Sequence, residues 1–361
     1  GDVYDGADRS VRAQLRFRDG LSKLAEKGIK TFVVHGNHDP LDGWQSSITW
    51  PEGVHIFGAT PEWVNFEKNG EIVAAVQGMS YPTREVNDNL AVQFSPPTSG
   101  NLFAIGLLHA NVGANSAHPN YAPCTVEDLS ASGIDYWALG HVHTRQTLKR
   151  TAPVIAYPGN TQGRHPNETG ARGALVVDVD PSGASRSEFV ALDVVRWERS
   201  QVDISNLETI DSLDSAIRQA TDNLSVQAED RDVVSRLTLV GRGPLHEQLA
   251  ANGAVEDLLD SVRSAWSGGG SPWVWVERIV DSTRPAIDIE SRAKADDFLG
   301  ATLKRALLSS IESDEIDRLT EVVSDVYSGR RNGLEKPSDE QVSAWAEEAR
   351  WYLAELLEQS K

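Results

Sequence analysis

A chain of 361 residues with 40% hydrophobic content is long enough for two or three domains, and no apolar run reaches the length needed to span a bilayer. The single cysteine, Cys124, excludes a disulfide framework and fits a reducing compartment, so a cytoplasmic location is expected. A net charge of −19 argues against nonspecific nucleic-acid binding by the overall field, but bound cations invert the electrostatics around clustered carboxylates and leave a local site open.

In chain order, the sole methionine is Met79, so Gly1 is expected to be an internal residue of a longer natural chain. Arg9–Lys27 predicts a helix with apolar positions Val11, Leu15, Leu21 and Leu24, stopped at Gly28. Short apolar runs predict strands at Thr31–Val34, Val54–Phe57, Ile72–Val76, Leu102–Leu108, Tyr136–Leu139, Val154–Tyr157, Ala174–Val179 and Phe189–Val194. Several are continuous rather than alternating, which suits strands buried on both faces. Strands mixed with helices predict a layered α/β domain over residues 1–195.

Composition shifts near Arg196. Strand patterns at Val202–Ile204, Val233–Val240 and Trp273–Val280, with helices around Asp211–Ala220 and Pro244–Ala265, predict a small domain over residues 196–285. The run from Gly268 to Pro272 reads as a loop inside it. Residues 286–361 read as helical. One face carries Ile316, Leu319, Val323 and Val326, and another carries Val342, Trp345, Ala349, Tyr352 and Leu356. The last helix opens after Pro337 with Ser338 and Gln341 spaced as a capping box.

Five segments place metal-type ligands at predicted strand ends: Gly1–Asp5, Gly36–Asp39, Leu108–Asn111, Gly140–His143 and Tyr157–Asn160. Rigid strands aim side chains, and glycines let the backbone approach closely. Asp2 carries the charge and two oxygens that a carboxylate between two cations needs, Asn37 offers a neutral oxygen, and His109, His141 and His143 offer imidazole nitrogens. On a strand the two rings of His141-Val142-His143 would share a face. Two ions roughly 3.5–4 Å apart would clamp a phosphate and acidify a water. A lone Gly-Asp or His-x-His is weak; the ordered set is strong.

That set resembles the calcineurin-like metallophosphoesterases. Tyr136–His143 and Tyr157–Arg164 resemble the Mre11 and SbcD group of DNA-repair nucleases, with the nearest likeness to YhaO-type bacterial exonucleases. The resemblance implies a four-layer αββα sandwich with a small α+β capping domain and C-terminal helices. It implies that Asp2 bridges two divalent ions, with Asn37, His109 and His141 completing one subsite and His143 belonging to the other. Manganese is the ion implied, and the ligand types alone also admit iron, zinc or magnesium. The family's first Asp-x-His motif has no counterpart from Gly1 onward, so this chain is expected to hold one ion well, a second poorly, and to be nearly inactive.

The resemblance also makes His38 the proton donor to the leaving oxygen, and an Asp5–His38 dyad is expected, with a turn-capping Asp5 as the alternative. Arg164 and His165 follow the Gly159–Gly163 loop as candidate phosphate contacts, although a solvated loop Arg is as common. Asn111 and His118 flank a Gly-bearing loop, with structural and substrate roles both open. His35 is expected to support the ligands from behind. His55 and His246 are expected to be structural or exposed, and Trp44, Trp50, Trp63, Trp137, Trp273 and Trp275 mostly core.

The implied function is metal-dependent hydrolysis of DNA phosphodiesters in repair. Implied partners are DNA, a coiled-coil ATPase of the Rad50 and SbcC kind docking on the C-terminal helices, and a second copy in a homodimer. Packing of those helices on this chain is the alternative. Two rivals stand beside the nuclease: a phosphoesterase for a small nucleotide or phosphomonoester, which the acidic balance favours, and an assembly subunit with an inactive site.

Overall fold

The apolar runs of the first half fold as a six-stranded sheet. The computed structural model describes residues 1–6, 10–43, 48–98, 102–113, 119–266, 272–309, 317–322 and 337–358. The chain divides into two units, Gly1–Trp197 and Glu198–Lys361. In the first, helix α1 (Val11–Ala25) precedes a short parallel pair, β1 (Thr31–Val33) and β2 (Val54–Ile56). Strands β3 (Glu62–Lys68), β4 (Glu71–Met79) and β5 (Phe103–His109), helix α2 (Val126–Ala131), and strands β6 (Tyr136–Gly140), β7 (Gln146–Lys149) and β8 (Val154–Tyr157) follow. They form a sheet of order β3-β4-β5-β6-β8-β7. The four inner strands are parallel and the two edge strands antiparallel. An antiparallel pair, β9 (Gly173–Val179) and β10 (Ser185–Ala191), completes the unit.

This is the expected mixed α/β class. All four residues of β8, Val154 to Tyr157, are buried, as a continuous apolar run between two covered faces requires. Trp137, Leu108 and Ile155 are fully buried, and the Trp137 indole N–H donates to Leu129 O at 3.0 Å. The apolar pattern predicts neither edge strand. β3 exposes Glu62, Asn65, Glu67 and Lys68 without strict alternation, and it carries a bulge between Phe66 and Glu67. β7 is four residues of mostly polar sequence. Neither gives an apolar run.

Helix α1 ends at a glycine cap as expected, with Gly28 at φ 72°. Its packed face differs from the prediction. Val11, Leu15 and Leu24 are exposed, whereas Gln14 and Leu21 are buried and Phe17 meets the rings of Tyr4 and Trp50. The face Gln14-Phe17-Leu21 wins because aromatic contacts fix the rotation of the helix.

In the second unit, β11 (Val195–Asp203), β12 (Asp232–Val240) and β13 (Val274–Asp281) form a sheet in that order, with β12 and β13 parallel. Helix α3 (Ile210–Gln227) runs seven residues beyond the predicted Ala220 and opens on a capping box made by Thr209 and Ser212. The single helix predicted over Pro244–Ala265 is two, α4 (His246–Leu249) and α5 (Ala254–Trp266), parted where Gly253 takes φ 84°. Ile204, Leu213, Ile217, Leu237 and Leu239 form the fully buried centre of this core.

Helices α6 (Ile289–Arg292), α7 (Phe298–Ser309), α8 (residues 317–322) and α9 (Asp339–Glu358) follow. The α9 capping box is present: Ser338 N–H donates to Gln341 Oε1 at 2.9 Å and Gln341 N–H to Ser338 Oγ at 3.3 Å. The apolar face predicted for α9 is turned outward except at Val342. Trp345, Ala349, Tyr352 and Leu356 are exposed, while Val342 and Ala354 are buried, Ala354 against Leu303 of α7. Of the other predicted face, Leu319 is exposed, and Ile316, Val323 and Val326 lie outside the described residues, as do Trp44, His118 and Gly268–Ser271. Among the described residues no helix is long and apolar enough to cross a membrane.

Candidate metal centre

The carboxyl ends of β5, β6 and β8 open onto one cavity of about 370 Å³, lined among others by Asp2, His109, His141, His143 and Asn160. The loop that follows β1 is built on Asp39, a residue named in the Gly-Asn-His-Asp motif but given no role by its sequence. Asp39 is fully buried and accepts N–H bonds from Gly36 at 2.7 Å, Val3 at 2.9 Å and Asp2 at 3.1 Å, with His35 Nδ1 at 3.2 Å. His35 therefore sits behind the ligands, as expected. Burial pushes the Asp39 carboxyl up, and the His35 ring and Gly36 N–H outweigh it, holding it below the carboxylate range. Through Asp39 the segment carrying Asp2 and the loop carrying Asn37 are bound as one piece.

Glycine is required in that loop by space. A Cβ on Gly36 would overlap the Asp2 carboxylate and the His109 ring. On the other side, a Cβ on Gly140 would lie 2.8 Å from His109 Nδ1.

Four donor atoms converge. His109, the last residue of β5, places Nε2 at 3.1 Å from Asn37 Oδ1 and 3.2 Å from Asp2 Oδ2. His141 Nδ1 lies 3.2 Å from both Asn37 Oδ1 and His109 Nε2. The candidate ligand atoms of Asp2, His109 and His141 all lie within 4.8 Å of one another. His141 Nε2 is 2.9 Å from Pro119 O and must donate to it, which leaves Nδ1 as a lone pair. The His141 Nδ1 lone pair and the Asn37 amide oxygen then face each other beside His109 Nε2, which reaches both of them and Asp2. A cation would satisfy all four atoms at once.

Electrostatics agree. Burial pushes His109 down to about 4 and also lowers His141, so both rings are neutral at neutral pH. Burial works against a charged Asp2, but the His109 ring and the His38 N–H, which Asp2 Oδ1 accepts at 2.9 Å, outweigh it and hold the carboxyl well below its usual range. Asp2 and His141 take left-handed backbone angles, φ 55° and 98°, rare for non-glycine residues and strained for histidine.

Other expected members are placed differently. β6 ends at Gly140, so His141 and His143 are not on a strand, and strand geometry does not set the direction of their rings. His141 joins the cluster. His143 stands outside it with Nδ1 2.6 Å from Glu168 Oε1. The Asp5–His38 dyad is corrected in its chemistry: His38 Nδ1 donates to the Asp5 main-chain carbonyl at 2.9 Å, while the Asp5 carboxylate accepts from Arg164 at 2.8 Å. That guanidinium holds the Asp5 carboxyl below its ordinary range. Arg164 is thus an exposed link to Asp5, and His165 is exposed and accepts the Asn167 N–H at 3.2 Å.

Asn111 is fully buried and donates to Pro119 O at 3.4 Å, so its side chain serves the loop and does not face an open cleft. His55 pairs with Glu62 at 2.9 Å and His246 with Thr283 at 2.9 Å, both structural as expected. Trp137 is core, whereas Trp275 is exposed. Glu168 escaped sequence reasoning because it lies in an irregular polar stretch with no motif around it. Burial pushes its carboxyl up, and the Arg164 N–H, the His143 ring and the Asn160 side chain outweigh that and hold it low.

Residues 1–145 match the calcineurin-like phosphoesterase family, and residues 197–284 match the middle domain of metallophosphoesterase YhaO. The chain is 34% identical to the metallophosphoesterase YhaO of Bacillus subtilis over 364 residues, covering 99% of this chain and 84% of that one. It is 26% identical over 238 residues to the SbcD component of the SbcCD nuclease from the same organism, covering 55% of this chain and 60% of the relative. Likeness to the DNA double-strand break repair protein Mre11 of Thermoplasma acidophilum is 26% over 191 residues, half of each chain.

Proposed function

We propose, for a chain that belongs to the calcineurin-like metallophosphoesterases and among them to the YhaO type, metal-dependent hydrolysis of DNA phosphodiesters. The observation that carries the hydrolytic reading is the convergence of Asp2, Asn37, His109 and His141 on one point. Likeness to SbcD and to Mre11 supports DNA as the substrate. When bound, divalent ions supply Lewis acidity to a phosphoryl oxygen and acidify water. Asp2, Asn37, His109 and His141 would hold one ion, and His143 with Asp2 would contribute to a second; manganese is our choice.

His38 moves the proton. Its Nδ1 is committed to the Asp5 carbonyl, which orients the ring and leaves Nε2 to deliver a proton to the departing sugar oxygen. Arg164 keeps that carbonyl in place by anchoring the carboxylate of the same residue. The test is degradation of linear duplex DNA with manganese by the intact protein. His38→Ala is expected to slow it about 10²-fold with ion binding unchanged. Undiminished cleavage would remove His38 from the chemistry. Turnover of a generic phosphodiester without DNA cleavage would move the substrate to a small nucleotide, a second reading that the charge of −19 favours.

Support for a polyanionic substrate comes from a cleft of about 530 Å³ lined by Arg145, Arg150, Ser185, Ser187 and Phe189. The Arg145 guanidinium lies over the Phe189 ring at 3.9 Å, which fixes it two residues beyond His143. If DNA phosphates lie along this cleft, Arg145→Glu with Arg150→Glu will weaken duplex binding and reduce the salt slope of log K by about two. Titrations at several salt concentrations check this; an unchanged slope places the DNA elsewhere. The exposed Trp345, Tyr352 and Leu356 of α9 are where we place a coiled-coil ATPase partner.

A further inference from the structure

We propose that Glu168 is a positioning residue that sets the tautomer and direction of His143 and so presents the Nε2 lone pair to an ion. This rests on the reading that His143 holds metal. A carboxylate can only accept, so at 2.6 Å from Glu168 Oε1 the proton of the His143 ring sits on Nδ1. In the neutral ring that leaves the lone pair on Nε2, the form an ion requires.

His143 needs such help because β6 has already ended at Gly140 and no strand ladder aims it. The loop after β8 supplies the aim. Glu168 Oε2 accepts the Arg164 N–H at 2.8 Å, and the Glu168 N–H donates to His165 O at 2.8 Å, closing a tight turn. A Cβ on Gly163 would lie 2.6 Å from Glu168 O, so the turn needs glycine there. Arg172 binds the main chain of His143 to the same loop, donating to His143 O at 2.6 Å, Thr169 O at 2.9 Å and Asn160 Oδ1 at 3.1 Å.

Burial is asymmetric. The Glu168 side chain is 16% exposed and that of His143 46%, so the acceptor is held by the fold while the ring is left open to the cavity. A half-exposed pair of this kind contributes little to stability. Orientation is what the arrangement provides.

Nitrogen-15 NMR of histidine in the metal-free intact protein reads the tautomer directly, and manganese titration reads the two ions separately. Glu168→Ala is expected to abolish the Nδ1–H form of His143 and weaken the second ion about 10–100-fold, with the first ion unaffected. Glu168→Gln keeps an oxygen that accepts from Nδ1–H and is expected to restore the tautomer and much of the affinity. An unchanged tautomer in Glu168→Ala, or equal weakening of both ions, overturns the proposal. Second-ion binding that survives His143→Ala overturns it together with the metal role of His143. No readout uses a substrate, so a failure of the nuclease reading is seen separately.

Discussion

Asp39→Ala is expected to lower stability by about 3–5 kcal/mol, the range for removing one partner from a buried charged network. Three backbone N–H groups, on Asp2, Val3 and Gly36, would lose their acceptor, and the His35 ring would lose its partner at 3.2 Å. Each orphaned buried donor costs about 1–3 kcal/mol, less where water reaches the vacated space. Stability is only part of the loss. Asp39 binds the segment carrying Asp2 to the loop carrying Asn37, so its removal also uncouples two donors of the cluster, and ion affinity is expected to fall about 10–100-fold. Asp39→Asn keeps one acceptor oxygen but turns an NH₂ toward other donors, and should fall between. Urea unfolding and calorimetric ion titration measure the two effects. A loss below about 1 kcal/mol with normal ion binding would show that the loop stands without its carboxylate.

The second large effect lies away from the centre. Arg196 Nε donates to Asp193 at 2.8 Å, with side chains 5% and 0% exposed. Asp193→Leu takes that counter-charge from a guanidinium in the interior and is expected to cost about 3–5 kcal/mol; Arg196→Met, which takes the cation from the carboxylate, should cost as much. The pair itself is not the source of that number. Desolvating two charges offsets most of their attraction, so the double variant Asp193→Leu with Arg196→Met is expected near wild type or about 1–4 kcal/mol more stable. Unfolding of the three variants gives the coupling directly. A double variant as unstable as the sum of the singles would mean that both charges serve other partners.

What the sequence revealed was set by how each residue is recruited. The inner strands were legible because Val154–Tyr157 and Tyr136–Gly140 are apolar runs with both faces covered. Edge strands β3 and β7 show water half of their side chains and stay hidden for that reason. Helix faces mislead: α1 packs through Phe17 and the buried Gln14, and α9 through Val342 and Ala354, because packing follows the neighbours available and not the largest apolar stripe. The cluster of Asp2, Asn37, His109 and His141 could be anticipated since ligands sit beside motif glycines. Asp39 and Glu168 could not, because carboxylates that orient other groups carry no spacing rule of their own.

The outer strand of the large sheet carries a further consequence. β3 offers one bare row of peptide groups to any other chain, yet it is bulged after Phe66 and studded with Glu62, Glu67 and Lys68. Such an edge is a poor template: a second strand laid against it would lose register at the bulge and bring like carboxylates together. Continuous sheets between copies, and the aggregation that begins with them, are therefore disfavoured at this edge by the same polar residues that hid the strand from view.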